Sequence, residues 1–376
     1  KIVQHQHKTE KIKKLTNFAS DAIINSRNMW YYQLEKGVPI FYTGTQILLP
    51  RVSERIDIMS TLDKIFEEIN KAESIVILTH ENPDGDAVGT SLALYNALKL
   101  YGKNNVDVII PECPKTFNFL PGSSEIKKES NVENYDLAIA VDCASFDMLN
   151  GLSKKFEDAT TTVVIDHHGT NNMFGDYNFV NPDAPACAEV MIVALSAFKL
   201  EINKEIGTCL LVGIITDTGG FKYQGVTAET FEFVAGLLRK GVNVSDTYRK
   251  VLQVKTKSAF ELTRAANNRI EFFEDGKIAY TYVTLEDYEK FNAVAGDHEG
   301  IVDIGRDIEG VEVSIFIREI KGKGLKVSLR SNDKVNVDEI ALLYGGGGHP
   351  KAAGFSINDD LESVKQRVIA EAKRYL

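Results

Sequence analysis

Four short runs of Val, Ile and Leu organise the first two thirds of the chain: Ile75 to Leu78, Leu137 to Val141, Val163 to Ile165 and Leu210 to Ile215. Each is followed at once by polar or ionisable residues, in turn Thr79-His80, Asp142, Asp166-His167-His168 and Thr216-Asp217. Between the runs, 87–100, 188–198 and 228–238 read as helices, with Gly102 and Gly241 as stop signals. Short apolar runs alternating with helices are the pattern of a parallel sheet covered on both faces, so all four runs are expected to be strands. Ligands of open α/β sheets bind outside the carboxyl ends of the strands. Four separate segments would therefore deliver acids and imidazoles to one rim.

The pattern changes after about residue 240. Residues 244–269 read as a helical connector with Ser245 or Asp246 as N-cap. Strands are expected around Ile270 and over 278–283, flanking Glu274-Asp275-Gly276, and again over 311–318 and 325–330, flanking Lys321-Gly322-Lys323-Gly324. Apolar runs joined by such short glycine-containing turns are hairpin signals. Helices are expected near 285–291, 337–344 and 361–376. The fold class is α/β: a parallel-sheet N-terminal domain with helices on both faces over 59–240, a helical connector over 241–270, and a smaller α+β C-terminal domain over 271–376. A cleft between the two domains is the expected substrate position. Leu62, Ile65, Phe66 and Ile69 recur at helical spacing after Met59, where the first domain is expected to begin. Residues 1–58 sustain no period and form an extension to which the sequence assigns no role; Trp30, Tyr31 and Tyr32 read as packing residues.

Length and composition narrow the classes. At 376 residues, the chain is long enough for two or three domains of roughly 150 residues each. Its 44% hydrophobic and 26% charged content is that of a globular protein. The net charge of −10 and the lack of a long Lys/Arg block disfavour a coat for duplex DNA, but not a short or terminally recognised phosphate substrate. The four cysteines, Cys113, Cys143, Cys187 and Cys209, form no C-x-x-C pair, which argues against a zinc ribbon or a disulfide framework and for a reducing cytoplasm. No apolar run approaches the roughly 20 residues of a membrane span.

The segment His80-Glu81-Asn82-Pro83-Asp84-Gly85-Asp86 puts an imidazole and two carboxylates in a loop that Pro83 and Gly85 force to turn before a helix. Taken alone, it would read as a surface turn capping that helix. Asp142, Asp166 and Asp217 change the reading, because they too emerge from apolar runs, where unpaired charge is least tolerated. Mixed carboxylate and imidazole donors suit manganese or another first-row divalent ion better than calcium, and the lack of thiolates argues against structural zinc. The expected cofactor is a pair of divalent metal ions, Mn2+ before others. Two such ions ~3.5–4 Å apart can share a water, lower its pKa and polarise a phosphoryl group.

In this order, H-E-N-P-D-G-D, V-D-C, D-H-H and T-D-T resemble the four motifs of the DHH phosphoesterase superfamily. Gly345-Gly346-Gly347-Gly348-His349-Pro350-Lys351-Ala352-Ala353-Gly354-Phe355 resembles the signature of its DHH-associated C-terminal domain. Together the motifs span nearly all of 59–376, which would make 59–240 the metal-binding catalytic domain and 271–376 the substrate-binding domain. The resemblance implies that His80, Asp84 and Asp142 hold one metal and that Asp86, Asp142, His167 and Asp217 hold the other. Asp142 would bridge them. It implies that Asp166 orients a neighbouring imidazole, and that His168 faces the substrate phosphate for charge stabilisation or proton transfer. Arg330, His349 and the backbone of Gly345 to Gly348 would bind substrate phosphate. By position alone Arg330 reads as a solvated strand-end cation, the four glycines could be a linker, and Lys351 is the weaker candidate.

The arrangement most resembles the family branch that acts on short oligonucleotides: bifunctional oligoribonucleases (nanoRNases) that also remove the 3′-phosphate from 3′-phosphoadenosine 5′-phosphate. The expected activity is hydrolysis of short RNA or DNA oligonucleotides and dinucleotides to nucleoside 5′-monophosphates, with 3′-phosphoadenosine 5′-phosphate as a further substrate. Phosphodiesterases for cyclic dinucleotides or their linear products share the motifs and form the nearest alternative. A non-catalytic nucleotide sensor is disfavoured because all six ligand positions carry metal-competent side chains. The missing basic channel disfavours a processive exonuclease, and the glycine-rich motif disfavours a pyrophosphatase or polyphosphatase. No membrane partner is expected, and a homodimer is compatible with the sequence.

Overall fold

The computed structural model describes residues 52–294 and 296–376; the N-terminal extension, with Trp30, Tyr31 and Tyr32, lies almost wholly outside the described residues. The chain forms two compact units that part between Leu252 and Gln253. No helix among the described residues is long and apolar enough to cross a membrane.

The first unit is built on a six-stranded sheet of β1 (Ile75–Leu78), β2 (Val106–Ile109), β3 (Ile126–Lys127), β4 (Leu137–Val141), β5 (Thr161–Asp166) and β6 (Tyr177–Val180). All pairs are parallel and the order is β3-β2-β1-β4-β5-β6. The chain thus winds outward from β1 in one direction, then returns to β4 and winds outward in the other. Both faces are covered, which is why the strands read as continuous apolar runs. Ile75, Ile77, Leu137, Ile139 and Val141 enter one core with α1 (Val52–Lys71), α2 (Gly85–Tyr101), α4 (Cys187–Ala197) and α5 (Lys204–Asp217). Val76, Leu78, Ala138 and Ala140 point the other way, toward Leu149, Leu152 and Phe156 around the short α3 (Ser153–Glu157). Gly102, at φ 105°, ends α2 in the left-handed conformation that glycine adopts without strain.

One expected strand is a helix. Leu210 to Ile215 lies inside α5, whose N-cap Asn203 accepts a hydrogen bond from Ile206 N. Leu210, Leu211, Val212, Ile214 and Ile215 are all fully buried. A helix enclosed on every side shows no polar face, so its apolar residues run together as they do in a buried strand. Two smaller corrections also hold. The first described helix begins at Val52, ahead of Met59, and Asn243 rather than Ser245 or Asp246 caps α7 (Val244–Tyr248). A π turn over Arg249–Gln253 follows α7, and then comes α8 (Lys257–Asn267); α6 (Ala228–Arg239) precedes them.

The second unit holds a mixed sheet of order β11-β12-β10-β9-β8-β7. Its strands are β7 (Glu271–Phe273), β8 (Ile278–Val283), β9 (Val313–Ile320), β10 (Gly324–Ser331), β11 (Gly347–His349) and β12 (Ala352–Ile357). Both expected hairpins are present, β7 with β8 and β9 with β10. Val313, Ile315 and Ile317 face a core shared with α11 (Val337–Leu342) and α12 (Leu361–Tyr375). Phe316, on the opposite face, packs with Leu262 of α8, Tyr288 of α9 (Leu285–Phe291) and Ile301 of α10 (Ile301–Arg306).

Candidate metal centre

His80 follows β1, Asp142 follows β4, and His167 and His168 follow β5, so three adjacent strands deliver them to the same rim. β1 and β4 flank the point where the strand order reverses, which is where open α/β sheets form their ligand crevice. Asp84 and Asp86 come from the loop into α2, and Asp217 from the last turn of α5.

The donor atoms form overlapping groups whose members lie within 4.8 Å of one another: His80, Asp84 and Asp142; Asp86, His167 and Asp217; and Asp142, His167 and His168. Asp142 belongs to the first and the last. Its Oδ2 is 3.7 Å from His80 Nε2, and its Oδ1 is 3.5 Å from His167 Nε2 and 3.8 Å from His168 Nδ1. His167 Nε2 is also 3.3 Å from Asp217 Oδ2. Asp142 Oδ1 and His167 Nε2 are buried without a hydrogen-bond partner. Two orphaned donor atoms aimed at each other's carboxylates and imidazoles suit a cation between them better than a protein contact.

The surroundings hold these side chains in place. Asp86, fully buried, accepts Thr90 Oγ1 at 2.9 Å and the amides of Cys187 and Ala188 at 2.5 and 3.0 Å, so the N-terminus of α4 clamps its carboxylate. Gly213 makes room for this clamp: a Cβ there would stand 2.3 Å from Asp86 Oδ1. Asp84 Oδ1 caps α2 by accepting the amides of Asp86 and Ala87. His167 Nδ1 is 3.1 Å from the Ala184 carbonyl, which assigns a proton to Nδ1 and makes Nε2 the nitrogen that becomes an acceptor toward the cage when the ring is neutral. Asp166 Oδ1 is 2.7 Å from His168 Nδ1, while its Oδ2 accepts Asn171 Nδ2 at 2.6 Å. Asn171, Thr90 and the two α4 amides carry no signal in the sequence, because each reaches its carboxylate only in the folded chain.

The electrostatics are those of a cage that wants positive charge. Burial, and then neighbouring carboxylates, push Asp86 and Asp142 well above the usual carboxylate range, and burial raises Asp217. Burial pulls the His167 imidazole down, but Asp217, Asp86 and Asp142 outweigh it and push it up to about 10. Burial lowers His80. Asp217 ends α5 at the negative pole of the helix, where a carboxylate is least favoured without a cation. Asp142 has φ 58°, a left-handed conformation that costs a non-glycine residue energy and collects at functional sites. The donor set therefore fits divalent ions: hard and borderline donors, two of them without a hydrogen-bond partner, in a largely buried acidic cage.

The remaining sequence candidates lie in the second unit. The glycine stretch is ordered structure, not a linker. Gly345 turns at φ 74°, and a Cβ at Gly346 would meet Gly354 O at 2.3 Å. Gly347, Gly348 and His349 form β11 against β12. Arg330 on β10 and His349 on β11 both pair with Ala352 of β12, so the two side chains share one face with a methyl group between them. Lys351 is engaged elsewhere, its Nζ donating to the Asp333 carbonyl at 2.8 Å.

A crevice of buried acids and imidazoles at the switch point of a parallel sheet, followed by a separate glycine-rich α+β unit, defines a phosphoesterase of the kind whose catalysis depends on metal ions. Residues 74–214 match the DHH family N-terminal domain and residues 275–376 the DHHA1 domain. The chain belongs to the DHH family. A Thermus thermophilus protein named bifunctional oligoribonuclease and PAP phosphatase NrnA is 33% identical over 87% of this chain and 96% of its own. A Bacillus subtilis protein of the same name is 24% identical over 78% of this chain and 92% of its own. In a solved structure, an exopolyphosphatase-related protein from Bacteroides fragilis superposes with a TM-score of 0.77 at 29% identity, covering 83% of this chain and 95% of that one.

Proposed function

We propose that the protein hydrolyses short oligonucleotides and dinucleotides to nucleoside 5′-monophosphates, and 3′-phosphoadenosine 5′-phosphate to AMP, with two divalent metal ions, Mn2+ before others. The observation that carries the reading is the convergence of His80, Asp84, Asp86, Asp142, His167 and Asp217 around two orphaned donor atoms. The Thermus and Bacillus relatives, named for both activities, support the substrate class.

On this reading His80, Asp84 and Asp142 hold one ion, and Asp86, Asp142, His167 and Asp217 the other. When bound, such a pair acidifies a water and neutralises charge on the phosphoryl group. The chain's own residues do the rest. Asp166 fixes the ring of His168 through Nδ1, so that Nε2 is presented toward the substrate phosphate, as a donor when the ring is protonated. The Asp166 contact raises the affinity of His168 for that proton, which favours stabilising developing negative charge or giving a proton to the leaving oxygen. Arg330, His349 and the amides of the 345–348 turn bind substrate phosphate on the second unit.

The test is a product assay of the full chain with Mn2+ against linear dinucleotides, longer RNA, cyclic dinucleotides and 3′-phosphoadenosine 5′-phosphate, with Asp142→Ala alongside. Fastest release of 5′-monophosphates from the shortest linear substrates supports the proposal. Preferred turnover of cyclic dinucleotides would assign the alternative substrate, and equal rates for wild type and Asp142→Ala would refute the centre.

A further inference from the structure

The second unit holds a charged cluster that the motifs do not include. Asp303, on α10, places Oδ1 3.1 Å from Arg306 Nη2 and 3.6 Å from Arg330 Nε. One carboxylate oxygen is thus shared by two guanidiniums, and the three side chains are only 33%, 18% and 28% exposed, so the charges are screened less than a surface pair. Arg330 is held a second time, its Nη1 donating to the Leu329 carbonyl at 3.0 Å. Its Nη2 makes no hydrogen bond among the described residues.

The fold brings Asp303 to this point deliberately close. Cross-strand pairing sets Ser314, Arg330, Ala352 and His349 in one row across β9, β10, β12 and β11. Ser314 Oγ donates to the Val302 carbonyl at 2.6 Å, tying α10 to that row. Gly305 permits the approach, since a Cβ there would meet Ser314 Oγ at 2.4 Å. α10 therefore lies on the face to which Arg330 and His349 point.

We infer that Asp303 is a positioning residue for substrate binding, holding Arg330 so that its open Nη2 edge and His349 address the same phosphate across Ala352. This rests on the reading of Arg330 as a phosphate-binding group. A guanidinium already restrained by an ion pair and a hydrogen bond loses less freedom when it binds; with Asp307 Oδ1 3.6 Å from Arg306 Nε, the two arginines and two aspartates of the cluster balance, so the contribution of Asp303 is restraint and not net charge.

Steady-state kinetics of the full chain with Mn2+ and a 5′-phosphorylated dinucleotide test this. Asp303→Ala is expected to raise KM about tenfold with kcat within about twofold, as for loss of ground-state binding. Asp303→Asn, whose amide oxygen still accepts from a guanidinium, is expected to recover part of that loss; Asp303→Leu, similar in size and without an acceptor, carries the comparison if Asp303→Ala does not fold. In an Arg330→Ala background either Asp303 change is expected to shift KM by less than about twofold, because the group being positioned is gone. An equal shift with and without Arg330, or a fall in KM in both Asp303 variants, would overturn the inference, the latter by showing that the carboxylate merely cancels charge. A raised KM in Arg330→Ala with normal KM in both Asp303 variants would overturn it alone. Normal KM in Arg330→Ala would instead remove the assignment of Arg330 to substrate, and this inference with it.

Discussion

Asp166 Oδ1 and His168 Nδ1 stand 2.7 Å apart, while Asp142 comes no closer than 3.8 Å to the same nitrogen. The D-H-H tripeptide therefore divides its labour. His167 turns Nε2 into the carboxylate cage, and His168, at the edge of the cage, is anchored through Nδ1 by the aspartate two residues earlier. Asp166→Asn is expected to lower kcat by about 10–100-fold while bound metal, counted by atomic absorption, stays near wild type. Loss of metal in step with activity would place Asp166 among the ligands instead.

Asp142 combines burial, an unpartnered oxygen and left-handed backbone. Asparagine keeps the shape, tolerates that backbone better than most residues and removes a buried charge from among other acids. Asp142→Asn is expected to lose at least about a thousandfold in kcat/KM, roughly 4 kcal/mol of transition-state stabilisation, yet to melt a few degrees higher than wild type when both are metal-free. A lower Tm for the metal-free variant would show that the carboxylate has a stabilising partner of its own.

Chelation should act on folding as well as on turnover. The acids of the cage favour a proton or a cation, so Mn2+ is expected to raise the Tm of the stripped protein progressively, with about 2.7 kcal/mol gained at one hundred times Kd. The gain is expected to shrink as pH falls, because protons and metal compete for the same atoms. Thermal melts across Mn2+ concentration and pH, repeated with Asp217→Asn, measure it; an unchanged Tm would contradict a metal site.

His298 provides a separate acid sensitivity in the second unit. Burial, with the Arg318 charge adding to it, pushes its imidazole down to about 4, although Asp297 pulls the other way. Its ring stacks on Phe316 at 6.4 Å and its Nδ1 has no partner. The folded state holds His298 neutral where the unfolded chain, titrating near 6.5, takes up a proton. Stability is therefore complete above about pH 6.5 and falls toward pH 4, by no more than about 3 kcal/mol. His298→Phe is expected to flatten that limb of the pH–stability curve, measured by denaturant unfolding; an identical slope would assign it to other groups.

Gly213→Ala tests the contact between α5 and α2. Its Cβ would fall 2.3 Å from Asp86 Oδ1 and 2.7 Å from Ala188 Cβ. Overpacking of this kind costs about 1–3 kcal/mol. Because the displaced group is Asp86, Mn2+ affinity by calorimetry is expected to fall with it; unchanged affinity would show that the helices part without moving Asp86.

Much of this architecture was legible in the chain, for identifiable reasons. β1, β4 and β5 announced themselves because strands covered on both faces need uninterrupted apolar residues, and the buried polar residue at each end marks where the strand runs into the acidic cage. The same logic misread α5, since complete enclosure erases the polar face that betrays a helix. The acids and imidazoles stood out as contiguous motifs. Asp303 and Asn171 did not, because each acts through a contact that exists only after folding: Asp303 meets Arg330 across 27 positions of sequence, and Asn171 reaches back to the Cys143 carbonyl. The pairing of Arg330 and His349 through Ala352 is likewise a property of strand register.

The cage draws its donors from His80 through Asp217, with the reversal of the sheet between them. During synthesis the segment carrying Asp217 is the last of these to leave the ribosome, and until α5 docks beside α2 the earlier donors lack the carboxylate that completes their set. On the ligand set proposed above, tight ion uptake would wait on completion of the domain, which couples cation binding to the last step of its folding.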